Sequence, residues 1–326
     1  MRLDFDPELL DFANQHKKNL MPISGEQGGN SRIARISVGD DEFILKKYLG
    51  GATRSKKSCS REKYSLELLG RFAINTPKVN LDLCSETINC IEFIEGKPHQ
   101  FNHSAINEII TFQENMIEIK NLINDELKTV PWAVDAAFSE IDVFNQIDAR
   151  CKNGSKELGK NWRIISHKLE NLKNHRKRTK RKEARSKEFI LSQSDIGCHN
   201  MLETKSKKTF FVDFEFFGKD SPQKLILDFI LHPRNEFDDH LNASFVEDLS
   251  KKFEVELKLL EVWFPLIALK WASILMRRLE FLTASNEDTQ KIADANELFE
   301  DYIELSDPIE VTRFADLVQL ASREIN

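Results

Sequence analysis

The chain has 326 residues, a hydrophobic share of 40%, a charged share of 31% and a formal net charge of −6. This composition is typical of a globular protein rather than a disordered chain, and the length is sufficient for two packed lobes. The negative net charge gives no overall reason to expect nucleic acid as a partner. Because no apolar run reaches the roughly 20 residues that a membrane-spanning helix needs, we also expect no membrane association.

The cysteines and the first residues favour a cytoplasmic location. The five cysteines are odd in number and have no CxxC spacing, which is typical of reduced thiols rather than of a disulfide framework. The opening segment, Met1 to Asp6, is acidic and lacks the apolar stretch of a secretory signal. We therefore expect a cytoplasmic protein, and the sequence leaves its oligomeric state open.

The segment up to about residue 95 combines strand-like runs with turns. Residues 32–38 alternate apolar and polar side chains, a Gly-Asp-Asp turn follows, and residues 42–46 resume the strand pattern, which predicts a β-hairpin. Residues 60–71 have the apolar spacing of a helix. Two more short strands are expected, at residues 79–83 and at residues 89–94.

Helical patterns dominate after Gly96. Apolar residues recur with helical spacing in long stretches, at residues 105–122, 143–149, 158–172 and 255–282. The sequence therefore predicts an α+β fold with two lobes. A small β-rich N-lobe would comprise residues 1–95, and a larger helical C-lobe would comprise residues 96–326.

A basic segment spans residues 173–187 and contains the clusters Arg176-Lys177-Arg178 and Lys180-Arg181-Lys182. Such a segment can bind an anionic partner, such as nucleic acid or a phosphorylated substrate. It can equally be the solvated end of a helix. Because no aromatic residues are interleaved for base stacking, we expect nucleic acid not to be a partner, and we leave the role of the segment open.

Chemistry-bearing residues cluster around residue 200. Asp195 and Asn200 have the D-x-x-x-x-N spacing of a kinase catalytic loop, and Asp213 ends an apolar strand a short hairpin later. This layout brings two carboxylates and one amide to one edge, which suits a metal ion that bridges the β- and γ-phosphates of a nucleotide. Taken singly, Asp and Asn are also common loop residues.

The runs Ser192 to Leu202 and Val212 to Pro222 resemble the aminoglycoside phosphotransferase and choline kinase-like family, which has a two-lobed protein-kinase-like fold. The family pattern is His-Gly-Asp-(four residues)-Asn, followed by an apolar strand that leads into Asp-x-Glu. The resemblance covers about residues 23–282 and is strongest at residues 189–233. It implies an ATP-dependent kinase that phosphorylates a hydroxyl of a small molecule.

The resemblance also implies roles for single residues in this second half of the chain. Asp195 corresponds to the catalytic base, which orients the attacking hydroxyl and accepts its proton. Asn200 and Asp213 correspond to the ligands of Mg²⁺. The implied partners are therefore ATP, Mg²⁺ and a small hydroxylated acceptor such as a sugar, an amino sugar or an amino alcohol.

A glycine-rich run ends in Gly28, Gly29, Asn30 and Ser31, directly before the predicted hairpin. The family places its nucleotide-covering loop at this point, and glycines let backbone N–H groups approach phosphate closely. An ordinary hairpin turn has the same composition, so the resemblance, rather than the glycines alone, implies nucleotide binding here.

Lys46 resembles the strand lysine that binds the α- and β-phosphates. Its neighbour Lys47 is the alternative, because strand alternation turns only one of them toward a cleft, and Lys46 is preferred because it follows the apolar part of the strand. Glu62 is the candidate ion-pair partner of the lysine, or else an exposed helical glutamate. The backbone of Glu92 and Ile94, in a run that resembles the family's hinge, is expected to hydrogen-bond the adenine.

Two departures from the family pattern keep a second hypothesis open. Gln193 replaces the usual His, and Ser194 replaces the usual Gly. The chain is therefore either an active small-molecule kinase or a catalytically degenerate kinase-fold protein that binds or regulates a partner. A protein kinase is disfavoured, because the stretch from Gly218 to Pro233 has no Ala-Pro-Glu and no room for a long activation segment. Lys270 and Arg277 would favour an acidic or phosphorylated sugar as the acceptor.

Overall fold

The computed structural model describes residues 6–21, 30–156, 158–179, 186, 188–235, 239–285, 289–307 and 314. The chain forms two compact units. The first comprises residues 1–100, 118–134 and 193–218, and the second comprises residues 101–117, 135–192 and 219–326. Asp195, Asn200 and Asp213 thus belong to the same unit as the N-terminal sheet. The lobe boundary after residue 95 stays a prediction.

The first elements of the chain are α1 (Pro7–Gln15), β1 (Leu20–Met21), β2 (Ser31–Val38), β3 (Asp41–Tyr48), α2 (Ala52–Gly70), β4 (Ile88–Glu92), β5 (Gly96–Pro98) and α3 (His103–Leu122). They are followed by α4 (Glu140–Lys152), α5 (Gly159–Arg178), β6 (Ile190–Ser192), β7 (Met201–Thr204), β8 (Thr209–Phe211), β9 (Gly218–Asp220), α6 (Pro222–Ile230), α7 (Asp239–Lys252), α8 (Leu257–Ala284) and α9 (Thr289–Leu305).

The N-terminal sheet is antiparallel, with the strand order β1-β2-β3-β4. The predicted hairpin is confirmed as β2 and β3, in a register that places Ile33 opposite Lys46. The alternating apolar residues of these strands build a core with α1, in which Leu45 and Cys90 are fully buried and lie opposite each other. This core fixes the direction in which each β3 side chain points.

The strand predicted at residues 79–83 is wrong. Leu81–Leu83 form a 3-10 turn, and Val79 makes only an isolated bridge to Ile91. The segment turns back on itself through the hydrogen bond from Leu83 N–H to the Asn80 carbonyl. Leu81 is 52% exposed, whereas Leu83 packs against the core of the sheet, so the apolar residues of this segment do not share one buried strand face. Alternation over five residues was therefore too short a signal.

Helix α2 begins at Ala52, eight residues before the predicted start. Its first two turns are polar and lack the apolar spacing on which the prediction relied. The buried face of the helix nevertheless includes Ser55, Ser58 and Glu62, so small and charged residues take positions that are usually apolar. This polar interior surrounds Glu62, and it could not be recognised from hydrophobic periodicity.

A second sheet, with the strand order β5-β7-β8, supports the loops of the candidate site. Met201 pairs with Phe211, and the N–H of Val212 donates to the Asn200 carbonyl at 2.9 Å. The two strands therefore carry the segment that ends in Asn200 and the segment that begins at Asp213 side by side. The hairpin predicted between these residues is confirmed.

Gly218 illustrates how closely the segment after Asp213 is packed within the first unit. A Cβ at residue 218 would lie 2.4 Å from the backbone nitrogen of Ala133 and 2.5 Å from the carbonyl oxygen of Pro131. We expect Gly218→Ala to lower the free energy of unfolding by about 1–3 kcal/mol, because backbone atoms cannot move aside as a flexible side chain can. Urea denaturation measures this effect.

Gly70 offers the matched control for that variant. It is the last residue of α2, and an added Cβ there meets no atom within 4 Å. Gly70→Ala should leave stability unchanged or raise it slightly, because alanine favours the helix. Equal unfolding midpoints for the two alanine variants would contradict the close approach at Gly218.

The second unit is built mainly from helices around α8. Among the described residues, α8 is the helix whose length and apolar composition would suffice to cross a membrane, with a mean hydropathy of 1.6 over its most apolar window. Length and composition alone are weak evidence for a membrane span, and 72% of this window is buried within the protein, as in a core helix. Trp263 is fully buried there, so it belongs to the core rather than to a pocket wall.

Asp220 precedes α6 but does not cap it. Ser221 is the N-cap, with extended backbone dihedrals and a hydroxyl that accepts from the N–H of Lys224. Asp220 lies one residue too early, and its carboxylate instead accepts from the N–H of Ala137 at 3.2 Å and from Lys224 Nζ at 2.6 Å. The residue is fully buried and connects the start of α6 to the segment before α4.

Candidate functional site

Lys46 lies between two carboxylates. Its Nζ is 2.7 Å from Glu62 Oε2 and 2.7 Å from Asp213 Oδ1, and the residue is only 6% exposed. Burial by itself lowers the pKa of Lys46, but the carboxylates of Asp213, Glu62 and Glu215 outweigh it and raise this pKa above its ordinary value. Lys46 therefore keeps the positive charge that a phosphate-binding lysine needs.

Lys47 points the other way, as strand alternation requires. Its Nζ is 3.0 Å from Asp6 Oδ1 and 3.1 Å from Glu8 Oε2, at the start of α1. Of the two lysines that the sequence offered, Lys46 is thus the one beside Asp213. Its binding of ATP stays a prediction.

Glu62 is held by three donors. It accepts from Lys46 Nζ, from the hydroxyl of Tyr48 and, at 3.2 Å, from the backbone N–H of Phe214. The predicted ion pair between Lys46 and Glu62 is therefore present. The alternative of an exposed helical glutamate is wrong, because Glu62 is only 2% exposed.

Asp213 has a left-handed backbone, with φ at 65°. Non-glycine residues adopt this region at a cost of roughly 1 kcal/mol, and such conformations concentrate at functional sites. Gln193 stabilises the turn, because its Nε2 donates to the carbonyls of Val212 and Asp213. Gln193, the residue that replaces the family's usual histidine, thus has a structural role in this loop.

Ser194 also lies in the left-handed region, with φ at 71°. The family's usual glycine at this position adopts such a backbone without strain, which explains the preference for it. Ser194 therefore adopts the backbone conformation that glycine would have here, at some cost in conformational free energy.

The catalytic-loop residues are linked to one another and to the strand that precedes Asp213. Asn200 Nδ2 donates to the backbone carbonyl of Asp195 at 2.8 Å, an arrangement that leaves the amide oxygen, the atom a metal ion would bind, outside this bond. The Asp195 side chain is 25% exposed, so a substrate hydroxyl can reach it. His199 Nε2 lies 3.5 Å from Asp195 Oδ1. The structure therefore brings Asp195, Asn200 and Asp213 into one backbone-linked cluster.

Glu215 is a site residue to which the sequence analysis gave no role. It is 3% exposed, and its Oε2 is buried without a hydrogen-bond partner in the described part of the chain. Burial is the main cause that raises the pKa of Glu215 to about 7. Lys46 opposes this shift, while Asp213 and Glu62 add to it. The Asp-x-Glu spacing, already noted as a family feature, was the available signal.

The donor set fits Mg²⁺. Three carboxylates, from Glu62, Asp213 and Glu215, act on the ammonium group of Lys46. The unpartnered buried oxygen of Glu215 and the amide oxygen of Asn200 are hard ligands of the kind that Mg²⁺ prefers. Asn200 and Asp213 are thus suitable ligands, and Glu215 can bind the ion directly or through water.

The predicted hinge follows β4 directly. The backbone N–H of Glu92 donates to the carbonyl of Lys78 at 2.7 Å, and the N–H of Phe93 donates to the carbonyl of Glu42 at 2.9 Å. The N–H of Glu92 is therefore engaged within the protein, and only its carbonyl could contact a nucleotide. Hydrogen bonding of adenine by the backbone of Glu92 and Ile94 stays a prediction.

The predicted nucleotide-covering loop lies only partly within the described residues. Gly28 and Gly29 lie outside them. Asn30 and Ser31 mark the entry into β2, where the Asn30 carbonyl accepts from the N–H of Leu49 at 2.8 Å. Contact of these residues with a nucleotide stays a prediction.

Lys270 does not have the acceptor-binding role that the sequence favoured. It is 3% exposed, and its Nζ faces the carboxylate of Asp228 at 3.3–3.4 Å. Arg277 is engaged too, because it donates to Glu280 at 2.9 Å. The interpretation of Lys270 as a group for an acidic acceptor is therefore wrong.

The basic segment continues α5 to Arg178, and residues 180–185 and 187 lie outside the described part. Lys173 pairs with Glu170 at 2.8 Å, and Arg176 Nε lies 3.6 Å from Glu140. The first contact is typical of a solvated helix face, whereas the second involves the buried Glu140 of α4. The expectation that nucleic acid is not a partner stays a prediction.

The sequence matches no protein-family model and no curated protein. Solved structures match over nearly the whole chain. The spectinomycin phosphotransferase APH(9)-Ia, in complex with ADP and spectinomycin, is 12% identical, with a TM-score of 0.56 over 98% of this chain and 100% of that one. The choline kinase from Cryptosporidium parvum is 14% identical, with a TM-score of 0.59 over 98% and 100%. The choline kinase LicA from Streptococcus pneumoniae is 13% identical, with a TM-score of 0.57 over 90% and 99%.

The chain therefore has the fold of the aminoglycoside phosphotransferases and the choline and ethanolamine kinases, with an N-terminal antiparallel sheet followed by a mostly helical part. The predicted α+β fold class and the resemblance noted in the sequence are confirmed. At 12–14% identity, these structures establish the fold alone.

Proposed function

We propose that this protein is a small-molecule kinase that transfers the γ-phosphate of ATP to a hydroxyl group of its acceptor. The supporting observation is the position of Lys46, which lies 2.7 Å from both Glu62 and Asp213 within the unit that also carries Asp195 and Asn200. Phosphoryl transfer needs these groups for positioning and for charge stabilisation.

Each residue has a defined task in this proposal. Lys46 binds the α- and β-phosphates, and Glu62 orients its ammonium group. Asn200 and Asp213 hold Mg²⁺, which neutralises charge on the phosphates when bound. Asp195 orients the acceptor hydroxyl and accepts its proton as the new O–P bond forms and the bond to ADP breaks.

The acceptor is proposed to be a sugar, an amino sugar or an amino alcohol. The neighbouring structures include enzymes for spectinomycin and for choline, which spans this range. Because Lys270 is buried against Asp228, the preference for an acidic or phosphorylated sugar has lost its support. A cytoplasmic location is part of the same proposal, since ATP and reduced thiols are available there.

The decisive experiment incubates the purified chain with MgATP and a panel of sugars, amino alcohols and aminoglycosides, and measures ADP release. We expect at least one acceptor to raise ADP release well above the rate with water alone. Absence of nucleotide binding, together with absence of ADP release for every acceptor, would contradict the proposal.

Removal of the metal ligand gives a sharper prediction. Asp213→Asn should abolish the Mg²⁺-dependent part of ATP binding and reduce turnover by at least about 100-fold, because a carboxylate that faces both the metal and Lys46 is lost. Isothermal titration with and without Mg²⁺ measures the first effect. Asp82→Asn, at an exposed position of the same unit, is the matched control and should behave as the wild type. Equal Mg²⁺ dependence in both variants would remove Asp213 from the site.

The alternative is a catalytically degenerate kinase-fold protein that regulates a partner. Gln193 and the strained backbone of Ser194 favour it, since both depart from the family's catalytic loop. Nucleotide binding without ADP release under any acceptor would support this alternative. ADP release that depends on Asp195 would dismiss it.

A further inference from the structure

A chain of buried hydrogen bonds continues from Glu62 through Tyr48 to Asn89. Tyr48 donates its hydroxyl to Glu62 Oε2, and Asn89 Nδ2 donates to Tyr48 Oη at 2.8 Å. Asn89 Nδ2 also donates to the Cys59 carbonyl at 2.9 Å, and Asn89 Oδ1 accepts from the Cys59 thiol at 3.1 Å. The chain of bonds joins three elements, β3, β4 and α2.

The positions of these residues follow from strand and helix geometry. Lys46 and Tyr48 are two residues apart on β3 and share a face. Asn89 on β4 is the direct cross-strand partner of Lys46. Cys59 and Glu62 are three residues apart on α2 and also share a face. Short segments of β3, β4 and α2 therefore place both Lys46 and the residues that hold Glu62.

The hydrogen-bonded groups are shielded from water. Tyr48 and Glu62 are each 2% exposed, and Asn89 is fully buried. A hydrogen bond to a buried charged group is strong, and its loss leaves a polar atom that water cannot reach. Burial and the charge of Glu62 raise the pKa of Tyr48 well above its ordinary value, so the phenol stays a donor.

We propose that Tyr48 and Asn89 are positioning residues that hold Glu62, and through it Lys46, in the phosphate-binding arrangement before a nucleotide binds. In protein kinases, the position of the corresponding helix decides whether the ion pair forms, and this position is regulated. Here a movement of α2 away from β3 would break the bonds that Glu62 makes with both Lys46 and Tyr48. The additional bond to Tyr48 therefore favours the assembled ion pair.

The three tyrosines of the chain form a matched test set, because a change to phenylalanine removes only a hydroxyl. Tyr48→Phe removes the donor to Glu62. Tyr64 lies on α2 itself, and its buried hydroxyl makes no hydrogen bond in the described part of the chain. Tyr302 belongs to the other unit, where its buried hydroxyl donates to the Leu231 carbonyl.

Tyr48→Phe is expected to lower kcat/KM for ATP, and the affinity for a non-hydrolysable ATP analogue, by about tenfold, with the acceptor KM unchanged. Amide hydrogen exchange of α2 should accelerate in the same variant. Asn89→Ala, which removes the support of the tyrosine, should reproduce this pattern. The double variant with Glu62→Gln should be no worse than Glu62→Gln alone, because Tyr48 acts through Glu62.

The controls decide what kind of role the hydroxyl has. Tyr64→Phe should match the wild type in every measurement, and Tyr302→Phe should lower stability without changing nucleotide affinity. The proposal is overturned if Tyr48→Phe behaves like either control. The measurements of kcat/KM and of nucleotide affinity rest on the proposed kinase function, whereas the measurement of amide hydrogen exchange in α2 does not. If the wild type bound no nucleotide, the proposed function would fail, and the exchange data would still decide whether Tyr48 positions the helix.

Discussion

The Asp195→Ala variant is expected to retain ATP binding and to lose about 10²- to 10⁴-fold in turnover. The loss follows because a general base that is removed from the attacking hydroxyl no longer accepts its proton in the transition state. Binding is retained because Lys46, Asn200 and Asp213, which hold the nucleotide and the metal, remain in place. ADP release and analogue affinity, measured on the same preparation, separate the two effects.

The Asp195 side chain is 25% exposed, so its removal should cost less stability than the removal of a fully buried carboxylate, which makes this test direct. Asp195→Asn provides a variant of equal size that still hydrogen-bonds the hydroxyl but cannot accept a proton. It should be as inactive as the alanine variant. Undiminished turnover in both variants would exclude Asp195 as the base.

The second large effect concerns stability. In the second unit, Lys224 Nζ lies 2.6 Å from Asp220 and 2.8 Å from Asp228, and all three residues are at most 5% exposed. Lys224→Met should lower the free energy of unfolding by about 3–5 kcal/mol, because it leaves two buried carboxylates without their shared partner. Chemical denaturation at pH 7 measures this loss.

Lys270→Met is the matched control, since it removes a second buried lysine from the same cluster. Its Nζ is 3.3 Å from Asp228, which keeps Lys224 as a partner in this variant. Burial is the main cause that lowers the pKa of Lys270 to about 8, with Lys224 acting in the same direction and Asp228 opposing. We therefore expect Lys270→Met to be within about 1 kcal/mol of the wild type, or more stable. A loss as large as that of Lys224→Met would contradict this assignment of the charges.

The same lysine predicts a pH dependence. The folded-state pKa of about 8 lies below the ordinary value of 10.5, so the unfolded chain binds more protons between these values. The contribution of Lys270 to stability is thus greatest above pH 10.5 and is lost as the pH falls through 8. Relative to Lys270→Met, the wild type should gain stability as the pH rises from 8 to 10. A constant difference over this range would be contrary evidence.

Short linear motifs were the part of the site that the sequence predicted well. Asp195 and Asn200 lie in one loop, so their spacing alone placed them, and the apolar strand before Asp213 supplied the third residue. Strand alternation indicated that one lysine of the Lys46-Lys47 pair would face the site. These signals are local, because neighbouring residues in one strand or loop have fixed relative directions.

Features that depend on residues far apart in the sequence were not predicted. Hydrophobic periodicity did not detect the start of α2, because its first turns are polar. The hydrogen bonds that join Tyr48, Asn89 and Glu62 depend on the relative positions of β3, β4 and α2, which the sequence alone does not give. For Glu215 the Asp-x-Glu spacing was a signal, but its burial beside Lys46 had to be seen in the structure. Lys270 was misjudged because a lysine is usually exposed, whereas Asp228 allows this one to be buried.

The most direct test of the account is a crystal structure of the protein with MnADP, in which anomalous scattering locates the metal. The account predicts a manganese ion within bonding distance of the side chains of Asn200 and Asp213, with the diphosphate beside Lys46. A metal bound elsewhere, or a nucleotide that does not contact Lys46, would contradict it.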